Sequence, residues 1–348
     1  MTDEKPIRTG IAGLGRSGWH IHAETLEPLQ DRFDICAVFD KNEERINEAG
    51  ERFGCTGYTD LKDLLGDDSV SLIINALPSH LHAEKTIEAL QAGKDVVCEK
   101  PMATALEDAD RMIDTAEQEG RLLTIFQNRR YDPVFMKIRE IIDSGILGEI
   151  ILIHIYSQRF SRRWDWQTLK KFGGGTLNNT GPHVMDQALV LFGDNDPEIL
   201  CDMRGVQTLG DTEDHVKIVL KAEGAPTIDI EITSTSAYSY DTWLIMGSQG
   251  GLTSEGRGIR WKYFDPAELP ERKLQTELEA ENRSYCRDEI PWKEEQTWEP
   301  GEDTVRDNTA YYLDLYDRIQ NGSEPEIDPR TVRRQIETIQ KCHEIAGI

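Results

Sequence analysis

Long apolar runs are missing from this sequence. None approaches the roughly 18–20 residues a membrane-spanning helix needs; the longest, at residues 72–77 and 150–155, are strand-length. Basic charge is scarce as well, with 39 Lys and Arg against 64 Asp and Glu, a formal charge of −25. No basic face remains to release counterions from nucleic acid, so nucleic acid is not expected as a partner, and nor is a membrane. The start, MTDEKPIRTGIAGLG, lacks a basic segment followed by an apolar stretch, so no signal peptide is expected. Six cysteines, at 36, 55, 98, 201, 286 and 342, form no CxxC and no His/Cys ligand spacing. That pattern suggests free thiols in a reducing, cytoplasmic compartment and no metal site. With 38% hydrophobic residues and only 14 prolines in 348, the composition is neither disordered nor fibrous, and the length suits two domains.

What is present falls into two textures. Over residues 1–126, short apolar runs alternate with helical spacing. Strands are expected at Ile7–Ala12, 34–39, 70–76, Asp95–Cys98 and 122–126. Helices are expected at the segment running to about Leu29, at 42–53, 79–91 and Leu106–Glu119. Continuous apolar strands alternating with helices indicate a doubly wound parallel α/β sheet, covered on both faces. After a helix near 133–144 the period changes to two. Ile228, Ile230 and Ile232 alternate with Asp229 and Glu231, and Val216, Ile218 and Leu220 alternate with Lys217 and Val219. This predicts an α+β domain over 127–348 with a large, mainly antiparallel open sheet. Further strands are expected at 149–158, 200–205, 242–247 and 260–264. Residues 266–300 read as an irregular excursion, and two closing helices near 303–320 and 329–344 are candidates to pack back on the first domain.

Gly13, Leu14, Gly15, Arg16, Ser17 and Gly18 spell G-x-G-x-x-G between the first strand and the first helix. Such a loop turns tightly at the first glycine, lets a pyrophosphate approach at the second and packs helix on strand at the third. Asp40 ends the second strand, where a carboxylate accepts ribose hydroxyls and repels a 2′-phosphate. NAD is the preferred cofactor on this reading; Lys41 beside Asp40 leaves NADP open.

Other candidates follow the carboxyl ends of strands, where ligands of open α/β sheets bind. Glu99 and Lys100 follow the strand at 95–98, and the lysine could polarise a hydroxyl or donate a proton. Leu77, Pro78 and His82 follow the preceding strand and would pass near a ribose. Asn128 is placed at the cofactor, with Arg129, Arg130 and Tyr131 as donors to a polyol. His183 lies beyond a Gly173–Gly175 triplet, and Asn179, His183 and Asp186 at four- and three-residue spacing could share one helical face. A near-neutral imidazole suits a general base. Trp164, in an Arg-Arg-Trp-Asp-Trp run, could stack on a sugar ring. Each also has a plain structural reading: a solvated lysine, a capping histidine, a packed tryptophan, or arginines that offset the chain's own acids.

Together, GLGRSG, ALPSHLHAE, AGKDVVCEKPMA, QNRRYDP and GGGTLNNTGPHVMD, in this order over residues 7 to about 190, resemble the glucose-fructose oxidoreductase/inositol dehydrogenase/rhizopine catabolism (Gfo/Idh/MocA) family. The resemblance implies an N-terminal Rossmann domain and a C-terminal domain whose sheet mediates homodimers or homotetramers. It also implies hydride transfer between NAD(P) and a secondary alcohol of a sugar, inositol or related polyol. It places the catalytic lysine on Lys100 and the catalytic histidine on His183. Asn179 stands where the family often has aspartate, and an amide cannot relay a proton. Two other activities are compatible with the same fold: an NAD-dependent glycosidase that oxidises its substrate transiently, and a non-catalytic nucleotide or sugar sensor.

Overall fold

The computed structural model describes residues 5–276, 285–323 and 326–347. A six-stranded parallel sheet comes first: β1 (Ile7–Ala12), β2 (Phe33–Phe39), β3 (Thr56–Tyr58), β4 (Leu72–Asn75), β5 (Asp95–Cys98) and β6 (Leu123–Ile125), in the spatial order β3-β2-β1-β4-β5-β6. Its central strands are buried on both faces, as their unbroken runs of Leu, Ile and Val require. Helix α1 follows β1 as π (Ser17–Ala23), α (Glu24–Leu26) and 3₁₀ (Glu27–Leu29) segments in succession. Helices α2 (Glu43–Phe53), α3 (Leu61–Leu65), α4 (His82–Gln91) and α5 (Leu106–Glu119) complete the layers. Asn42 caps α2 through its side chain, and Gly54 closes it in the left-handed conformation. The strand order reverses at β1 and β4, so the ligand crevice lies beyond their carboxyl ends.

Helix α6 (Pro133–Asp143) leads into the second sheet: β7 (Ile150–Gln158), β8 (Glu198–Arg204), β9 (His215–Lys221), β10 (Thr227–Thr233), β11 (Trp243–Gly247), β12 (Gly250–Glu255), β13 (Gly258–Tyr263) and β14 (Gln296–Trp298). The order is β14-β13-β12-β11-β7-β10-β9-β8, antiparallel throughout except for β7 on β10. Ile228, Ile230 and Ile232 face inward and are buried, while Asp229 and Glu231 are half-buried on the other face. Helices α7 (Thr176–Asn179) and α8 (Gly181–Phe192) cover the inner face.

The chain closes with α9 (Asp307–Asn321) and α10 (Pro329–Ala346). Tyr311, Tyr312 and Leu315 of α9 belong to the core of the first sheet, where Tyr311 packs edge-on against Phe126 with ring centroids 4.7 Å apart. Helix α10 gives Val332 and Ile336 to that core, and Ile339 and Cys342 to the core of the second sheet.

Three differences from the expected elements have local causes. The strands β3, β12 and β14 and the short helix α3 lie outside the elements the sequence predicts, because their three to six residues carry too little periodicity. Residues 266–300 hold β14, paired with β13, within the expected excursion; 277–284 lie outside the described residues. The single helix expected to carry Asn179, His183 and Asp186 is broken at Thr180. Pro182 has no N–H to extend the ladder from α7, so α8 starts afresh at Gly181.

Candidate active site

A cleft of about 870 Å³ runs along the carboxyl ends of β1, β2, β4 and β5 and is closed on its far side by the segment between β7 and α7. At its floor, Gly13 holds φ +97°, a turn that L side chains rarely adopt. A Cβ on Gly18 would overlap the Gly13 carbonyl oxygen, so this glycine permits α1 to pack on the turn. A Cβ on Gly15 would meet nothing and stand in the cleft. Steric demand at 13 and 18 with open space at 15 is the cradle a pyrophosphate requires, and the loop therefore fits a dinucleotide.

Asp40, just after β2, accepts from Leu14 N at 2.8 Å and from Asn42 N at 2.9 Å, and Arg45 stands 3.4 Å from its Oδ2. The carboxylate thus ties the glycine loop to β2 and still lines the cleft, between Lys41 and Arg45. Leu77, Pro78 and His82 form the next wall. His82 is buried, with Nδ1 2.6 Å from Pro101 O and Nε2 2.7 Å from Leu77 O, so it staples the loop after β4 to the loop after β5. Burial lowers its pKa against the pull of those carbonyls and of Glu99.

Glu99 is buried under the cleft. Burial alone would raise its pKa, but His22, Lys100 and His82 outweigh it and hold the carboxyl down to about 2. His22 Nε2 lies 3.3 Å away, within ion-pair range though poorly aligned for a hydrogen bond. Lys100 reaches across to the second half of the molecule, its Nζ donating to Asn179 O at 3.2 Å. Burial, with Arg16 and Arg129 nearby, lowers the lysine's pKa; Glu99 opposes the shift.

His183, in the first turn of α8, has its Nδ1 buried without a hydrogen-bond partner among the described residues. Burial, then the charges of Lys100 and Arg129, push its pKa down to about 3, so the imidazole is neutral at any physiological pH. Around it, Asn179 and Gln167 exchange amide hydrogen bonds, 3.3 Å from Gln167 Nε2 to Asn179 Oδ1 and 3.2 Å in return. Arg163 donates to Gln167 Oε1 and to both oxygens of Asp165. The Asn179 amide is therefore held in one orientation, with no proton to relay.

With this geometry in place, the comparisons decide the family. The model of an oxidoreductase family with an NAD-binding Rossmann fold, GFO_IDH_MocA, matches residues 7–127. The GFO/IDH/MocA C-terminal domain matches residues 135–253. The chain belongs to the GFO/IDH/MocA oxidoreductase family. It is 32% identical, over 72% of its own length and 71% of the relative's, to an uncharacterised oxidoreductase of Schizosaccharomyces pombe. It is 29% identical to the myo-inositol 2-dehydrogenase of Thermotoga maritima, over 74% and 82%. The WlbA dehydrogenase of Bordetella pertussis, solved with NADH and UDP-GlcNAcA, superposes with a TM-score of 0.78 at 21% identity, covering 100% of this chain and 98% of that one. That likeness is one of fold.

Within this GFO/IDH/MocA frame the residues expected at the site divide. Gly13, Gly15, Arg16, Ser17, Asp40, Leu77, Pro78, His82, Glu99, Lys100 and Asn179 line the cleft. Leu14 and Gly18 sit directly beneath it, and His183, near enough to Lys100 to feel its charge, is not part of the wall. Arg129 is near enough to bear on both Lys100 and His183. Four polyol candidates lie elsewhere. Arg130 and Asp186 form a buried bidentate ion pair, both bonds at 2.7 Å, and Arg130 also donates to Glu326 O and Thr331 Oγ1. Tyr131 donates to Asp314 on α9, and Trp164 is 74% exposed. Asn128, expected at the cofactor, instead donates to Asp307 and Asn308. The break at Thr180 turns Asp186 away from Asn179, and partners from α9 and α10, more than 120 residues onward, could not be read from spacing. Of the Arg-Arg-Trp-Asp-Trp run, Arg163, Asp165 and Trp166 line the cleft while Trp164 does not; Arg45, Arg159 and Gln167 also line it, and none of the three carries a local signal in the sequence.

Among the described residues no group of His, Cys, Asp and Glu could hold a metal, and no helix is long and apolar enough to cross a membrane.

Proposed function

We propose that this oxidoreductase exchanges hydride between NAD(P) and a secondary alcohol of a sugar, inositol or related polyol. The observation that carries the reading is the His183 imidazole, kept neutral and with its buried Nδ1 unpartnered among the described residues, near enough to feel the charge of Lys100, whose side chain lines the glycine-loop cleft. A buried polar atom with no partner costs on the order of 1–3 kcal/mol, and a substrate hydroxyl would supply the missing bond. The relative that is a myo-inositol 2-dehydrogenase supports the same class.

NAD(P), when bound, would supply the hydride acceptor; Gly13–Gly18 are the residues that would hold it and Asp40 the one that would receive its adenosine ribose. Lys100 holds the substrate oxygen and stabilises the negative charge that gathers there. His183 accepts the hydroxyl proton as the carbon–hydrogen bond breaks and the carbonyl forms. Asn179, fixed by Gln167, orients a neighbouring hydroxyl. The cytoplasm as the setting and a homodimer or homotetramer as the assembly complete this proposal.

The test is a panel of polyols and free sugars with NAD and then NADP, following the absorbance of reduced nicotinamide. Steady reduction with at least one member is expected, lost in Lys100→Ala and in His183→Ala while both variants still bind cofactor. Loss of cofactor binding in either variant overturns the roles assigned here. Glycoside cleavage without net reduction would replace the dehydrogenase by the glycosidase reading.

A further inference from the structure

The far wall of the cleft holds a positive charge that the chain itself does not neutralise, in a protein with a formal charge of −25. The carboxylates that line the cavity are each engaged: Asp40 with Arg45, Glu99 with His22, and Asp165 with Arg163. Arg159 lines the same cavity, yet among the described residues no carboxylate lies within ion-pair distance of it. Among the described residues its one side-chain hydrogen bond runs from Nε to Ser161 Oγ at 3.3 Å, which leaves both terminal amino groups without an acceptor there. The backbone beneath it is anchored on both sides, Arg159 N donating to Thr233 O at 3.0 Å and Ser236 N to Arg159 O at 3.1 Å. This arginine is therefore a cation on a rigid base just beyond β7, and not part of a wandering loop.

Its neighbour differs in a telling way. Arg163 is committed to Asp165 and Gln167, and through Gln167 it orients Asn179, whose carbonyl receives Lys100. That chain of contacts runs from the far wall to the reacting end of the cleft and leaves Arg159 as the far-wall guanidinium still free to meet a ligand, as Arg16 is at the glycine loop on the opposite side. A neutral polyol would leave it with water alone. A planar fork of N–H donors matches a carboxylate or a phosphate.

We propose that the polyol this protein acts on carries an acidic group, a carboxylate or a phosphate, and that Arg159 receives it. The inference rests on the dehydrogenase reading above for the identity of the polyol, but the anion site can be tested without turnover. Full-length protein loaded with NAD is titrated calorimetrically with a hexose, the matching uronic acid and the matching phosphate ester, while nicotinamide reduction is followed in parallel. One of the two anions is expected to bind about ten- to a hundredfold more tightly than the hexose, and which of them does so names the group. The advantage should shrink as salt is added, vanish in Arg159→Gln and return in part in Arg159→Lys, with unchanged melting temperatures as the check on folding. Equal binding of anion and hexose, no binding of either anion, or an anion preference that survives Arg159→Gln overturns the proposal. Arg159-dependent binding of an anion without any nicotinamide reduction counts against the dehydrogenase reading and leaves the anion site standing. Reduction by neutral polyols with no anion preference does the reverse.

Discussion

Lys100 and Asn179 meet across the seam between the two sheets, the lysine Nζ donating to the asparagine backbone carbonyl at 3.2 Å. Lys100 is delivered by the end of β5 and Asn179 by the last turn of α7, so this bond registers one half of the molecule on the other at the reacting end of the cleft. Because the contact uses a backbone oxygen, it does not depend on which side chain stands at 179. The Asn179 amide is left to Gln167, which fixes its orientation.

The pH dependence should lack an ordinary histidine limb. With the His183 pKa pushed down to about 3, its neutral form persists far below 6.5, and kcat/KM should cross pH 6.5 without an inflection. On the alkaline side, the lowered pKa of Lys100 brings loss of the ammonium below its usual 10.5. A kcat/KM profile that bends near pH 6.5 and keeps that bend in variants of the other histidines would contradict this assignment.

The same burial makes a statement about stability. His183 protonates at about 3 in the folded chain and at 6.5 when unfolded, so the unfolded state takes up the proton first. Stability from this group is complete above pH 6.5 and falls as pH drops from 6.5 towards 3. Melting temperatures taken between pH 7 and pH 5 should therefore fall more for the wild type than for His183→Asn. Equal losses would show that the imidazole is not buried in this way.

Gly15→Val should separate cofactor binding from folding. The added side chain would enter open space in the cleft, so the melting temperature without cofactor should hold while the NAD(P) dissociation constant rises at least about tenfold. Gly13→Ala should instead destabilise the fold by about 1–2 kcal/mol, because φ at this position is left-handed. Titration calorimetry paired with thermal melts distinguishes the two.

Asp186→Ala should cost about 3–5 kcal/mol by leaving the Arg130 guanidinium buried and uncompensated. The KM of the folded fraction should stay near wild type, since the pair lies away from the cleft, and an Arg130→Met, Asp186→Leu double variant should recover part of the stability. A rise in KM with unchanged melting would return Asp186 to the substrate.

Asp40→Ser should move cofactor preference towards NADP by about tenfold or more in kcat/KM. Removing the carboxylate ends its repulsion of a 2′-phosphate and leaves Lys41 and Arg45 lining that end of the cleft. An unchanged NAD to NADP ratio would place the adenosine ribose elsewhere.

Local pattern was enough for the elements and for the near wall of the site. Continuous apolar runs named the buried parallel strands, period-two isoleucines named the inner face of the second sheet, and the glycine hexapeptide, Asp40 and Lys100 each sit at the carboxyl end of a strand. Those features are local because backbone geometry and burial act within a few residues of the chain. Which polar residues face the cleft was decided by tertiary structure. Arg130 and Asp186 look like ligand-binding groups in the sequence, but packing of α10 against α8 surrounds them and makes each the other's partner. Arg159 and Gln167 look like ordinary polar residues, but Arg159 is carried to the far wall by the pairing of β7 with β10, and Gln167 is held there by Arg163 and Asp165. A charge in a folded protein takes its role from the groups it meets, and those groups lie up to two hundred residues away in the chain.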